Sequence, residues 1–164
     1  MAEIARRLGE FPGAAVMQNY HPLVVHFPIA LLTTATLVYL VAWIGRRHDW
    51  SRLGFWLLWF GVIGAGVAIL TGLRAGAGVM VAPSVRTHIL QQHERLMLGT
   101  GSSSLLLALW TLLDPPFPRR GRIVFIAGLI GMSILLAHGA DYGAWMVYGY
   151  NAGGSLPQPI EFSN

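Results

Sequence analysis

The sequence predicts an all-α fold, specifically an integral membrane protein built as an antiparallel four-helix bundle. Of its 164 residues, 54% are hydrophobic and only 11% are charged, and the mean hydropathy is +0.56. That composition is too apolar for an ordinary soluble domain of this length. Four apolar stretches are also separated by short polar connections, and short connections between consecutive spans produce an up-down-up-down arrangement.

The four spans are expected near residues 23–44, 53–73, 96–113 and 123–137, the last continuing through His138. A Gly/Ala/Pro-containing loop is expected over residues 74–87, and an aromatic, glycine-rich cap or interfacial belt after His138. We expect residues 1–20 to form an N-terminal amphipathic or disordered segment, 21–150 a four-helix transmembrane domain and 151–164 a C-terminal tail. The sequence therefore predicts a single membrane domain.

Two residue types are missing from the chain, and their absence removes several function classes. There is no lysine, which excludes a phosphate-loop lysine and a Schiff-base lysine. There is no cysteine, which excludes covalent c-type haem, cysteine-ligated iron-sulfur clusters and thiol catalysis. The arginines form short clusters between apolar stretches, a topology signal that argues against a nucleic-acid partner.

Five of the six histidines are predicted to meet at one face of the membrane. In an up-down-up-down bundle, the starts of the first and third spans lie beside the end of the fourth. These positions hold His21, His26, His88, His93 and His138, whereas His48 lies at the opposite face. Ionisable side chains within a membrane mark functional sites, so these five histidines are the candidate ligands.

Helical periodicity divides the paired histidines. A separation of five residues gives about 7.5 Å of rise and about 140° of rotation, so His21 and His26 cannot easily bind one atom from a regular helix. The same holds for His88 and His93. We expect His26 and His93 to point into the bundle with His138, while His21 and His88 lie nearer the headgroups.

Three functions suit this constellation. In the first, histidines from different helices ligate non-covalent haem b, with one or two haems bound. In the second, histidines and carboxylates bind Cu or Zn, with Met97 or Met146 as a soft ligand. In the third, the chain is a haem-free structural membrane anchor. Glu94 and Asp141 are expected to orient imidazoles through their second ring nitrogens, although a salt bridge to a nearby arginine is an alternative for each.

A family resemblance adds to this interpretation. It is carried by His21-Pro22…His26-Phe27-Pro28-Ile29-Ala30-Leu31, Leu70-Thr71-Gly72-Leu73, the helix start at His93, and Tyr148-Gly149. Over residues 20–152 the chain resembles a bacterial predicted-membrane-protein family, a domain of unknown function with an HP…HFPIAL signature. The resemblance implies a four-helix membrane module associated with cytochrome-type respiratory proteins. The family's late histidine-glycine pair is absent, since Gly149-Tyr150 follows Val147-Tyr148.

The sequence thus predicts a haem b electron-transfer subunit that links a quinone or membrane partner to a periplasmic redox protein such as a c-type cytochrome. No zinc-protease helix, serine elbow or dinucleotide fingerprint occurs, so a self-contained enzyme is not expected. The arginines of the two loops away from the histidines are Arg46, Arg47, Arg52, Arg119, Arg120 and Arg122. The positive-inside rule therefore predicts a bacterial inner-membrane protein whose histidine-rich end is periplasmic.

Overall fold

A computed structural model describes residues 20–79 and 81–152 of the chain. The described residues form four long helices: α1 (His21–Ile44), α2 (His48–Gly78), α3 (Pro83–Leu113) and α4 (Arg122–Tyr150). Each is long and apolar enough to cross a membrane, which confirms the all-α, membrane-spanning fold class. Nearly all of the predicted N-terminal segment and C-terminal tail lies outside the described residues.

The helices extend further than the sequence predicted. The loop expected over residues 74–87 is wrong in extent, because α2 continues to Gly78 and α3 begins at Pro83. The aromatic segment after His138, expected to form a cap or an interfacial belt, continues α4 for about three turns, and the helix ends at Tyr150. Hydropathy locates the part of a helix within the hydrocarbon, about 30 Å thick. A 31-residue helix such as α2 is about 46 Å long.

The turn between α2 and α3 is held by Arg86. Its guanidinium group donates hydrogen bonds to the carbonyl oxygens of Gly76, at 3.0 Å, and Val79, at 2.7 Å. Carbonyls at a helix C-terminus lack partners within the helix, and a cation there also offsets the negative end of the helix dipole. Arg86 opens a π-helical turn, Arg86–Leu90, within α3.

The bundle consists of two antiparallel hairpins, α1–α2 and α3–α4, with further packing of α2 on α3 and of α1 on α4. A single seam of α1 carries most of its buried side chains, at alternating spacings of four and three residues. Its members are Pro28, Leu32, Ala35, Tyr39 and Ala42. This heptad-like spacing keeps one side of a helix against its neighbours.

Glycines of α2 receive the large side chains of this seam. A Cβ atom placed on Gly54 would lie 3.1 Å from the Tyr39 ring, and one on Gly61 would lie 2.6 Å from Leu32 Cδ2. The second pair is seven residues further along α2 and seven residues earlier in α1, so the antiparallel register is constant. Small residues allow membrane helices to approach closely.

The segment between α3 and α4 closes the end of the bundle away from the histidines. The Tyr39 hydroxyl donates a hydrogen bond to the Pro116 carbonyl at 2.9 Å. The Tyr39 ring also packs against Phe117 and Phe125, with centroid separations of 5.1 and 5.2 Å. These contacts join α1, the connecting segment and α4 in one aromatic cluster.

Candidate functional site

Two of the predicted histidines, His21 and His93, head the buried seams of their helices. His21 lies seven residues before the buried Pro28, and His93 lies seven residues before the buried Thr100. Seven residues complete about two helical turns, so each imidazole falls on the inward side. Both lie beside the C-terminal part of α2, where His21 meets Gly72 and Glu94, the neighbour of His93, meets Gly76. The two imidazoles therefore lie at the same end of the bundle.

The imidazole of His21 lies against the C-terminal part of α2. Its Nδ1 atom is 3.2 Å from Thr71 Oγ1. That hydroxyl lies 3.0 Å from the carbonyl oxygens of both Val67 and Ala68, to one of which it donates its single proton. The imidazole is therefore hydrogen-bonded to this hydroxyl, and the Ala68 backbone is a further hydrogen-bond partner of the ring. A Cβ atom on Gly72 would lie 2.8 Å from His21 Cε1, so only glycine leaves room for the ring there.

The imidazole of His93 lies against α4 in a similar way. Its Nδ1 is 2.7 Å from the carbonyl oxygen of Gly139. Because a carbonyl only accepts, Nδ1 carries the proton in this contact. A Cβ atom on Gly143 would lie 3.1 Å from His93 Cε1 and 3.3 Å from Nδ1. Glycine at position 143 thus leaves the Gly139 carbonyl open to the ring.

The two half-sites are built on the same plan. In the first hairpin, His21 at the start of α1 packs against Gly72 near the end of α2. In the second hairpin, His93 near the start of α3 packs against Gly143 near the end of α4. In both hairpins, Nδ1 is hydrogen-bonded to the second helix. In neutral His93, whose Nδ1 carries the proton, the Nε2 atom then keeps its lone pair. A ring nitrogen fixed in this manner can coordinate a metal or accept a proton, and ligating histidines are generally held through their other nitrogen.

A small apolar cluster lies one helical turn beyond His93. It consists of Val85, Ile89, Leu90 and Met146, with Val79, Val81 and Tyr142 packed against it. Because these residues continue past His93 and Gly143 toward the ends of α3 and α4, they lie at the end of the bundle nearest the histidines. The cluster therefore packs the start of α3 against the last turns of α4 at that end.

The expected inward orientation of His26 and His138 is wrong, since both side chains are exposed on the bundle surface. His26 precedes the buried Pro28 by two residues, which places it about 200° from the seam. Its Nδ1 donates to the Pro22 carbonyl at 2.8 Å. His138 is adjacent to the buried Gly139 and is rotated about 100° from it. His88 is exposed in the π-helical turn, as its predicted position near the headgroups requires.

The partners of the imidazoles differ from the predicted carboxylates. Nδ1 of His21 and Nδ1 of His93 meet a hydroxyl and a backbone carbonyl, respectively. Glu94 is half-buried instead against α2, where a Cβ atom on Gly76 would lie 2.8 Å from its Oε1. Asp141 is exposed. Backbone carbonyls are available here because glycines leave them uncovered.

Three residues of the site were not predicted as site residues: Thr71, Gly72 and Gly143. The sequence marks the two glycines only as small residues within apolar helices, and the structure shows that Gly72 lies seven residues after the buried Ala65 and Gly143 seven residues after the buried Leu136. Small residues at such positions mark a close approach between helices. Within residues 20–79 and 81–152, no three His, Asp or Glu side chains form a metal-binding group.

Comparison with known proteins gives one match. A family model described as "Predicted membrane protein (DUF2231)" matches residues 17–155, which is most of the chain. No curated protein and no solved structure matches significantly. The family description agrees with the four membrane-spanning helices and names no activity.

Proposed function

We propose that this chain, which belongs to the predicted membrane protein family DUF2231, is a haem b-binding electron-transfer subunit of the bacterial inner membrane. It would link a quinone or membrane partner to a periplasmic redox protein such as a c-type cytochrome. The observation that carries the proposal is the pair His21 and His93. These imidazoles come from different helices and are each fixed through Nδ1.

The donor set fits haem. The porphyrin supplies four ligands to the iron, so the protein needs to add only two imidazoles. Two imidazoles from different helices, each hydrogen-bonded through Nδ1, are what the described half-sites offer. A protein site for copper or zinc usually needs three or four side chains. The two-histidine arrangement therefore favours haem over the copper or zinc alternative.

The protein contributes three things to such a centre. His21 and His93 would hold the haem iron, and their Nδ1 hydrogen bonds would set the direction and basicity of each ring. The apolar cluster at the histidine end lowers the local dielectric, which influences the redox potential. Bound haem supplies the one-electron redox chemistry. The ligand roles that the sequence suggested for His26, His88 and His138 are the alternative that the experiment tests against this pair.

The proposal is tested on protein produced with haem available and purified in detergent. A Soret band and a reduced-minus-oxidised difference spectrum are expected, with haem per chain measured as the pyridine haemochrome. His21→Ala and His93→Ala should each lose most of the haem, because one axial ligand is removed. His26→Ala and His138→Ala are matched controls at exposed positions and should retain it.

Two results would contradict the proposal. Wild-type protein without a Soret band would remove the haem function altogether, and a stoichiometric copper or zinc content would then support the metal-ion alternative. Full haem content in His21→Ala and His93→Ala, with loss in the two control variants, would show that the exposed histidines on the bundle surface are the ligands. The haem-to-chain ratio distinguishes one haem from two.

A further inference from the structure

A second polar site lies at the end of the bundle opposite the imidazoles. A cavity of about 100 Å³ opens there between the start of α2 and the segment leading into α4. Its polar lining consists of His48, Ser51, Arg119 and Arg122, and its apolar lining of residues 115–117. This volume suits a small anion and is far below the several hundred cubic ångströms of a cofactor pocket.

Ser51 is the most informative residue of this cavity. It is only 2% exposed, and its Oγ atom has no hydrogen-bond partner among the described residues. Buried serine and threonine hydroxyls in helices usually bond to a carbonyl one turn earlier, as Thr36 and Thr100 do here. A buried hydroxyl without a partner is costly. A ligand in the cavity would accept its proton.

The remaining polar groups give the cavity a positive lining. The guanidinium group of Arg122 donates through Nε to the Pro118 carbonyl at 3.3 Å, which uses one of its five N–H donors. It also lies 4.7 Å from the centroid of the Phe117 ring. Arg119 contributes a second guanidinium group, while its backbone N–H donates to Asp114 Oδ2 at 2.8 Å.

The backbone adds to this positive character. Both α2 and α4 begin at this end, at His48 and Arg122, and a helix N-terminus carries a partial positive charge. Asp49, in the first turn of α2, is exposed and does not line the cavity. A negatively charged ligand is therefore favoured.

We propose that this cavity binds a phosphate group, supplied by the headgroup of an anionic phospholipid. Guanidinium groups recognise phosphate oxygens with several N–H donors at once. The site lies at the end of membrane-spanning helices, where lipid phosphates are found, and basic pockets between such helices bind anionic headgroups. Free inorganic phosphate carries the same chemistry, and the experiment distinguishes the two sources. The proposal is independent of haem binding.

The test uses the full chain in phosphatidylcholine nanodiscs. Phosphatidylglycerol or inorganic phosphate is added in separate titrations, and binding is followed by the thermal unfolding midpoint and by native mass spectrometry. Phosphatidylglycerol is expected to bind and to raise the midpoint. Ser51→Ala and Arg122→Gln should each weaken its binding about tenfold or more, since each removes a hydrogen bond to a charged group.

Arg120→Gln is the matched control, because Arg120 is exposed in the same segment and does not line the cavity. If Arg120→Gln and Arg122→Gln lost equal affinity for phosphatidylglycerol, the binding would depend on general surface charge. That result would overturn the proposal. Without added anion, Ser51→Ala should unfold at the wild-type temperature or above. A clear loss of stability in Ser51→Ala without anion would show that the Ser51 hydroxyl has a structural role, and this result would also overturn the proposal. If inorganic phosphate bound as tightly as the lipid, the result would support phosphate binding in the cavity and would overturn the assignment of a lipid headgroup as its source.

Discussion

Replacement of Gly72 by alanine separates the role of the histidine site from the stability of the bundle. The new Cβ atom would lie 2.8 Å from Cε1 and 3.2 Å from Nδ1 of His21. Ordinary carbon-carbon contacts are about 3.5–4.0 Å, so the ring must move by about 0.7 Å or more. The hydrogen bond from Nδ1 to Thr71 is already 3.2 Å long. A displacement of this size takes it beyond useful hydrogen-bonding distance.

Gly72→Ala is expected to have a large effect on haem affinity and a small effect on stability. Loss of a hydrogen bond that orients a ligand typically costs about 10–100-fold in metal affinity, so haem affinity should fall by that factor. Stability should change little, because an imidazole at a helix end can move and because alanine is favoured over glycine in helices by about 0.5–1 kcal/mol.

The assay is titration of haem-free protein with haem, followed by absorbance at the Soret maximum, with thermal unfolding recorded by circular dichroism. Gly66→Ala is the matched control on the same helix, since a Cβ atom there meets nothing within 4 Å. Equal haem affinities in the two variants would show that the position of the His21 ring against Gly72 does not govern ligation. Absence of binding in the wild-type protein would instead reject the proposed function itself.

Two further predictions concern the packing of α1. Gly61→Ala places a Cβ atom 2.6 Å from Leu32 Cδ2 and 3.3 Å from the Leu32 backbone nitrogen. It should therefore lower the free energy of unfolding by about 1–3 kcal/mol relative to Gly66→Ala. Equal thermal midpoints of the two variants in detergent would contradict the close packing of α1 on α2. Tyr39→Phe keeps the ring and removes the hydrogen bond to the Pro116 carbonyl, at a cost of about 0.5–1.5 kcal/mol. An unchanged midpoint for Tyr39→Phe would mean that this bond adds no net stability.

The sequence predicted the four helices because each one crosses the hydrocarbon, and a hydrophobic span is recorded directly in residue type. It predicted the helix ends less well, since α2 and α4 continue through glycine-rich segments, 74–78 and 139–150, where residue type no longer distinguishes helix from loop. Hydrogen bonding along the backbone does not stop at the membrane boundary. The bond from Arg86 to the end of α2 depends on three-dimensional proximity across the turn.

The choice of inward histidines shows what a topological argument omits. Topology brings the histidine-bearing helix ends together, but rotation about each helix axis decides which side chains face inward. The buried seam of α1 passes through Pro28, Leu32 and Ala35, and its phase selects His21 over His26. In α3, the corresponding seam through Thr100 and Ser104 selects His93. The Nδ1 partners could not be predicted, because a hydroxyl and a backbone carbonyl carry no specific signature in sequence.

The location of the imidazole pair also constrains the proposed electron transfer. His21 is the first residue of α1 and His93 lies near the start of α3, so both ligands are close to one membrane face. At the other face the sequence provides His48 alone, and that residue lines the cavity proposed to bind phosphate. A second bis-histidine centre at that face would need a ligand from another chain. A diffusing quinone or an adjacent membrane subunit could reach the histidine end from within the bilayer, whereas a donor at the opposite membrane face would be separated from the imidazoles by the full length of the bundle.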